Sequence, residues 1–193
     1  MNRLRRIGFL LIILTTLIAA LFFSDGSIFM SLEAKDTFVE EAWGQAGSIA
    51  YQAAAKTMRS RNGQSYPLSN SQKRYLRRYF IDLLDRVSVV YNATMMDQWV
   101  VGGRAVRFGS VESAAQTYCD RIYLRDAYKP DDPIQLTILA HEMVHARQCE
   151  QLGGFDRFGY RYFIEFRRAG QIYVRNKMEK EAYDLQKRFA KTL

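Results

Sequence analysis

Hydrophobic and polar positions divide the chain into an apolar N-terminal run and a longer amphipathic body. Residues 7–23 carry no charge and follow Arg3, Arg5 and Arg6. Basic residues ahead of an apolar run orient it with its N-terminus in the cytoplasm, so the body should lie outside. We therefore predict a membrane anchor or signal peptide over residues 1–26. The protein is expected to be membrane-anchored and extracytoplasmic, or secreted if the segment is removed.

Two helices are predicted next, over residues 31–61 and 71–86, and they form a helical N-terminal part. The first helix has acidic residues near its start and basic residues near its end, which suits the helix dipole. Gly44 and Gly47 are expected to weaken it locally. The second helix has apolar and aromatic residues at helical spacing, which predicts a face buried in the core.

Short β-type runs replace the helical spacing from residue 87 onward. Further along, Asp132 can cap a helix, Pro133 suits its first position, and Gly153 can end it. The sequence thus predicts an α+β core over residues 87–193 with a small sheet. The predicted elements are strands at 87–91 and 118–124, a hairpin on either side of Gly102 and Gly103, and helices over 133–152, 155–168 and 174–191.

Charge and cysteine content bear on partners and compartment. The net charge is +8, but no nucleic-acid-binding signature accompanies it. We therefore expect no nucleic-acid partner, and instead a solvated basic face near an anionic membrane surface. An extracytoplasmic compartment permits a disulfide between Cys119 and Cys149. The sequence also allows two buried, unpaired cysteines and does not decide between these states.

Both histidines of the chain lie in the stretch His141-Glu142-Met143-Val144-His145. This is the H-E-x-x-H pattern of zinc metallopeptidases. Residues four apart on a helix project from one face, so the two imidazoles can bind one Zn²⁺. Glu142 is offset by one residue and can act as general base toward a water molecule that the metal activates. The alternative is a buried helix whose histidines only form hydrogen bonds.

A catalytic zinc site needs a third protein ligand, and the chain contains no third histidine. Cys149 lies on the same helix, but ligands from three successive turns of a straight helix would diverge along its axis. Glu179 and Glu181, on a downstream helix, are the better candidates. They flank the apolar stripe of that helix on opposite sides, so periodicity leaves the choice open. The other glutamate is expected to be a solvated charge.

The stretch from Leu139 to Gln148, followed by Glu179-x-x-Ala182, resembles the gluzincin class of zinc peptidases. The likeness is greatest to small peptidase domains of the extracellular contractile injection system core type, and it covers residues 85–190. The resemblance implies a zincin-like domain with a zinc-binding active-site helix. It also implies that Glu179, rather than its neighbouring glutamate, is the third ligand.

The sequence departs from this resemblance at Tyr183, where an aspartate often supports a metal-binding histidine. The departure puts the support of that imidazole in question, although a tyrosine hydroxyl can also hydrogen-bond it. Residues 118–125 are either an edge strand that aligns an extended substrate or an ordinary strand of the sheet. An oxyanion-stabilising hydroxyl could come from Tyr160, Tyr162 or Tyr173, but core or rim positions also account for them, and none is assigned that role.

The sequence therefore predicts a membrane-tethered zinc metallopeptidase that hydrolyses peptide bonds in a protein or peptide substrate. Zn²⁺ would be held by His141, His145 and Glu179, with Glu142 as the catalytic base. The alternative is a non-catalytic zinc-binding module of the cell envelope or of a partner complex. A third hypothesis, a basic protein that binds membrane surfaces or nucleic acid, predicts salt-dependent binding that chelators leave unchanged.

Overall fold

A computed structural model describes residues 32–96, 98–101, 104–107 and 113–193 of the chain. The predicted anchor lies outside these ranges. Within them, no helix is long and apolar enough to cross a membrane. The described chain has an α+β fold with five α-helices and a small four-stranded sheet.

The elements follow one another as the sequence predicts in outline, with strands between two helical parts. They are α1 (Leu32–Arg61), β1 (Tyr66–Pro67), α2 (Asn70–Phe80), β2 (Ser88–Val90), β3 (Gln98–Val101), β4 (Arg104–Arg107), β5 (Ala115–Tyr118), β6 (Arg121–Leu124), α3 (Pro133–Leu152), α4 (Phe155–Arg168), a short 3-10 helix (Tyr173–Arg175) and α5 (Lys177–Ala190).

The main sheet has the strand order β1-β2-β6-β5. Strands β2 and β6 run parallel, with Val89 opposite Ile122, while β1 and β5 run antiparallel to their neighbours. Strands β3 and β4 pair antiparallel in a hairpin of their own, as predicted. Helix α3 contacts β5 and β6, so the sheet forms one wall around the helix that carries the H-E-x-x-H motif.

The β segment predicted at residues 118–124 is wrong in its extent. It is a hairpin of β5 and β6 that turns at Cys119, whose φ of 54° is left-handed. A cysteine gives no sequence signal for that conformation, because glycine or asparagine is the usual residue there. Strand β6 is an interior strand between β2 and β5, so β5 is the edge strand at this end of the sheet.

Two helix boundaries also differ from the prediction. Helix α2 ends at Phe80, and residues 81–86 form turns rather than a continuation of the helix. The last helix begins at Lys177, because the side chain of Asn176 accepts a hydrogen bond from the amide of Met178 and caps it. The capping asparagine follows the short 3-10 helix, which the helical pattern of the sequence does not distinguish from α5.

Helices α1 and α4 pack at very close range through glycines. A methyl group on Gly47 would lie 2.4 Å from the Cβ atom of Phe163, and one on Gly159 would lie 2.7 Å from the carbonyl oxygen of Gly47. Ion pairs continue the contact toward the start of α1, where Arg168 approaches Glu40 at 2.7 Å. The glycines that weaken α1 in isolation therefore allow it to dock against the rest of the molecule.

Two apolar clusters join the helical N-terminal part to the remainder of the chain. In the first, Leu76 and Phe80 of α2 pack with Leu139 and Met143 of α3. The second cluster is formed by residues of α1, the β5–β6 turn, the end of α3, and α4. The motif helix α3 contributes to both clusters and is buried along most of its length.

Cys119 and Cys149 form a disulfide, with their Cα atoms 5.2 Å apart. It links the β5–β6 turn to the end of α3. The same turn is tied to α1, because the hydroxyl of Tyr51 donates to the carbonyl of Thr117 and accepts from the amide of Cys119. The cysteines are 30 residues apart in sequence, and the closed loop contains the whole H-E-x-x-H motif.

Removing the disulfide by Cys119→Ala with Cys149→Ala should lower the free energy of unfolding by about 3–4 kcal/mol. The cross-link closes a loop of 30 residues. A closed loop of that length lowers the conformational entropy of the unfolded chain, which is worth about 3–4 kcal/mol of stability. Denaturant unfolding of the full chain in detergent measures the difference. Adding reductant to the unaltered protein should reproduce most of the loss. Equal unfolding midpoints for the variant and the unaltered protein would show that the cross-link is not stabilising.

Candidate metal centre

The two histidines are placed by a helix with well-defined ends. Asp132 accepts a hydrogen bond from the amide of Gln135 at the start of α3, and Gly153, with φ of 90°, ends the helix. The spacing of four residues puts His141 and His145 on one face, as predicted. Their Nε2 atoms are 3.2 Å apart, and both side chains are buried.

Glu179 reaches the histidines from the first turn of α5. Its Oε2 atom lies 3.3 Å from Nε2 of His141, and its Oε1 atom lies 3.4 Å from Nε2 of His145. The side chain of Glu179 is only 2% exposed. One potential ligand atom from each residue falls within 4.8 Å of the others, so the three side chains can hold one metal ion.

The buried carboxylate of Glu179 is stabilised in its charged form by the polar groups around it. Burial alone would raise the pKa of the Glu179 carboxyl, but the two imidazoles and the hydroxyl of Tyr162 hold it well below its usual range. Burial likewise opposes protonation of His145, yet the carboxylate of Glu179 raises the pKa of that imidazole to about 9. Without a cation, the pair is therefore stabilised by a proton on His145.

The cluster passes a test of fit for a metal ion. Oε2 of Glu179 is buried and has no hydrogen-bond partner in the described part of the chain. An unsatisfied carboxylate oxygen inside a protein is costly, and a cation at this point would satisfy it. Two imidazole nitrogens and a carboxylate oxygen are also the donor set that zinc accepts in catalytic sites.

Two glutamines fix the orientation of the imidazoles. Nδ1 of His141 is 2.9 Å from Oε1 of Gln186, and Nδ1 of His145 is 2.9 Å from Oε1 of Gln148. An amide oxygen only accepts, so each Nδ1 carries the proton. In the neutral imidazole this leaves the lone pair of Nε2 directed at the shared point beside Glu179. Neither glutamine was predicted to belong to the site, because each reaches an imidazole only through the packing of α5 against α3 or through the rotation of α3 itself.

Glu142 is also buried, and its carboxylate is held by strand β5. Oε2 of Glu142 accepts a hydrogen bond of 2.6 Å from the hydroxyl of Thr117. The negative charge of Glu142 contributes to the raised pKa values of His145 and Tyr173, so its carboxylate shares their surroundings. The structure therefore brings His141, His145 and Glu179 together, while Glu142 is the next residue after His141 on α3 and contacts Thr117.

Three tyrosines surround the Glu179 carboxylate. Tyr162 donates to its Oε1 atom at 2.6 Å. Burial, and then the charge of Glu179, raise the pKa of Tyr162 far above the usual value. The pKa of Tyr173 is raised too, because its hydroxyl lies away from solvent beside the Glu179 carboxylate, although the residue as a whole is partly exposed. Tyr183 packs its ring edge-on against His141, with ring centres 4.7 Å apart. Tyr183 therefore packs against His141, while Gln186, one helical turn further along α5, forms the hydrogen bond to its Nδ1 atom.

The remaining sequence candidates lie outside the cluster. Glu181 bonds to Gln148 and Arg147 rather than to an imidazole, so it is not a bare solvated charge. Cys149 is in the disulfide. Tyr160 donates to Glu41 on α1, on the opposite side of α4. Sequence spacing does not predict these contacts, because each depends on which face of a helix packs against a neighbouring element.

Comparison with known proteins finds no matching family model, no significantly similar curated protein and no significantly similar solved structure. The resemblance to gluzincins therefore stays a prediction. What the chain itself provides is a buried His141–His145–Glu179 cluster that can bind a metal ion, with Glu142 beside it.

Proposed function

We propose that this protein is a zinc-dependent peptidase of the gluzincin type, with a zincin-like fold around α3. The observation that carries the proposal is the convergence of His141, His145 and Glu179 within 4.8 Å. Zn²⁺ is the ion we assign to them, because it is the usual ion for this donor set on an H-E-x-x-H helix. When bound, it would supply Lewis acidity that activates water and polarises a scissile carbonyl.

Glu142 is the general base in this proposal. It follows His141 on α3, so its carboxylate leaves the helix beside the metal ligands. The hydroxyl of Thr117 holds one carboxylate oxygen at 2.6 Å and limits its rotation. Glu142 takes a proton from the attacking water and returns it to the amine nitrogen of the departing peptide. Thr117 thereby contributes as a positioning residue from strand β5.

The compartment and partners follow from the same proposal. The apolar run at residues 7–23 would tether the body to the outer face of the membrane, and the substrates would be proteins or peptides on that side. The disulfide between Cys119 and Cys149 supports an oxidising compartment. No nucleic-acid partner enters the proposal.

The test is metal analysis combined with cleavage of an unfolded protein substrate by the full chain in detergent. We expect one zinc ion per chain, loss of cleavage with the chelator 1,10-phenanthroline, and recovery when zinc is added back. Cleavage that persists in the metal-free protein would contradict the proposal. A chain that contains no zinc, and takes up none, would contradict it as well.

A second candidate function is a zinc-stabilised module without catalysis. The observation in its favour is burial, because His141, Glu142 and His145 are only 6–8% exposed. A metal in so enclosed a site would mainly stabilise the contact between α3 and α5. This function predicts that zinc binds and raises the unfolding temperature while no substrate is cleaved.

A further inference from the structure

The side chain of Gln148 connects the metal cluster to the surface of the protein. Its amide nitrogen donates to the carbonyl of Met178 at 3.1 Å and to Oε2 of Glu181 at 2.8 Å. Both partners are acceptors, so they fix which end of the amide is the nitrogen. The oxygen end must then face Nδ1 of His145, at 2.9 Å.

The outer end of this chain of hydrogen bonds is charged and partly exposed. The side chain of Glu181 is 52% exposed and lies 3.3 Å from the guanidinium of Arg147. Glu181 is thereby held between Arg147 and Gln148, both of which belong to the motif helix α3. Its hydrogen-bonded connection to the imidazole of His145 runs through the amide of Gln148.

We propose that Glu181 and Gln148 form a relay that positions His145 and strengthens its bond to zinc; the inference rests on the proposed function. A carboxylate that accepts from the amide nitrogen polarises the amide, so its oxygen becomes a better acceptor. The Nδ1 proton of His145 is then held more firmly, and Nε2 becomes a stronger donor to the metal. The relay performs the task of a carboxylate bonded directly to a metal-binding histidine.

The other histidine provides an internal comparison. Gln186 supports His141 at the same distance of 2.9 Å. Among the described residues, Gln186 has no charged acceptor behind its amide. The hydrogen-bonded support at Nδ1 of the two imidazoles therefore differs in one feature, the Glu181 carboxylate behind Gln148, and that carboxylate can be removed without touching a metal ligand.

Zinc affinity of the full chain, measured by competition with a chromogenic chelator, tests the relay. Gln148→Leu should weaken binding about 10- to 100-fold, the usual loss when a supporting partner is removed. Glu181→Gln should weaken it about 3- to 10-fold, since a charged acceptor becomes neutral. Gln151→Leu and Glu150→Gln, exposed changes on α3, are the matched controls and should leave the affinity unchanged.

A double variant separates the relay from a merely structural role. Gln148→Glu combined with Glu181→Gln exchanges the carboxylate and the amide, so the carboxylate now accepts directly from His145. Zinc affinity should exceed that of Gln148→Leu, because a charged acceptor for Nδ1 of His145 is restored, while the carbonyl of Met178 loses its amide donor. Unfolding temperatures of the metal-free variants show whether each change is tolerated, and Glu181 is exposed enough for its replacement to fold.

The outcomes distinguish the relay from the proposed function. If the unaltered protein binds zinc, but Glu181→Gln binds equally tightly, the relay is wrong and the zinc site stands. A protein that binds no zinc at all overturns both ideas. Graded loss in the single variants with recovery in the exchange variant supports the relay.

Discussion

A Glu142→Gln variant is expected to bind zinc normally and to cleave peptide bonds about 100- to 10,000-fold more slowly, the usual contribution of a general base. The amide has no basic oxygen at neutral pH, so it cannot take the proton from water. Its oxygen can still accept from the hydroxyl of Thr117, which now bonds to Glu142 at 2.6 Å. The fold around α3 should therefore remain intact.

Cleavage rate and zinc content are measured on the same preparation of this variant. Glu150→Gln is the matched control, because Glu150 lies on the same helix but pairs with Arg86 at the surface. The control should cleave at the normal rate. Undiminished cleavage by Glu142→Gln would remove Glu142 from the mechanism, while loss of zinc would show that the variant damages the cluster instead.

A Glu179→Gln variant is expected to bind zinc about 100- to 1,000-fold more weakly. Binding of zinc by a full ligand set is worth on the order of 10–16 kcal/mol, so one ligand contributes roughly 3 kcal/mol. Glutamine keeps an oxygen that can accept from Tyr162 but removes the negative charge between the two imidazoles. Competition titration against a chromogenic chelator measures the change.

Glu181→Gln is the matched control for this prediction, since it makes the same chemical change two residues further along α5. The structure places Glu181 on Gln148 and Arg147, outside the cluster, so its replacement should cost no more than about 10-fold. If Glu179→Gln retained normal affinity, or if Glu181→Gln were the more damaging of the two, the assignment of the third ligand would be wrong.

The long helices were predictable because their ends carry local signals. Asp132, Pro133 and Gly153 bound α3 where the sequence predicts it, and each acts through neighbouring backbone groups. The sheet was less predictable. The hairpin of β5 and β6 turns at Cys119 in a left-handed conformation that the disulfide and Tyr51 support, and both partners are distant in sequence.

The sequence by itself determined that His141 and His145 share one face of a helix, with Glu142 beside them, because that relation depends only on helical periodicity. It also made Glu179 and Glu181 the better candidates for a third ligand. Periodicity could not separate these two, since they flank the same apolar stripe.

The packing of α5 against α3 decided which glutamate lies between the imidazoles and which glutamines contact them. In that arrangement Glu179 is buried between the imidazoles, while Glu181 emerges beside Arg147. The same packing brings Gln186 to His141 and lets Gln148 link His145 to Glu181. Which side chains meet there depends on the rotation and position of one helix against another, and contacts along the whole core fix both.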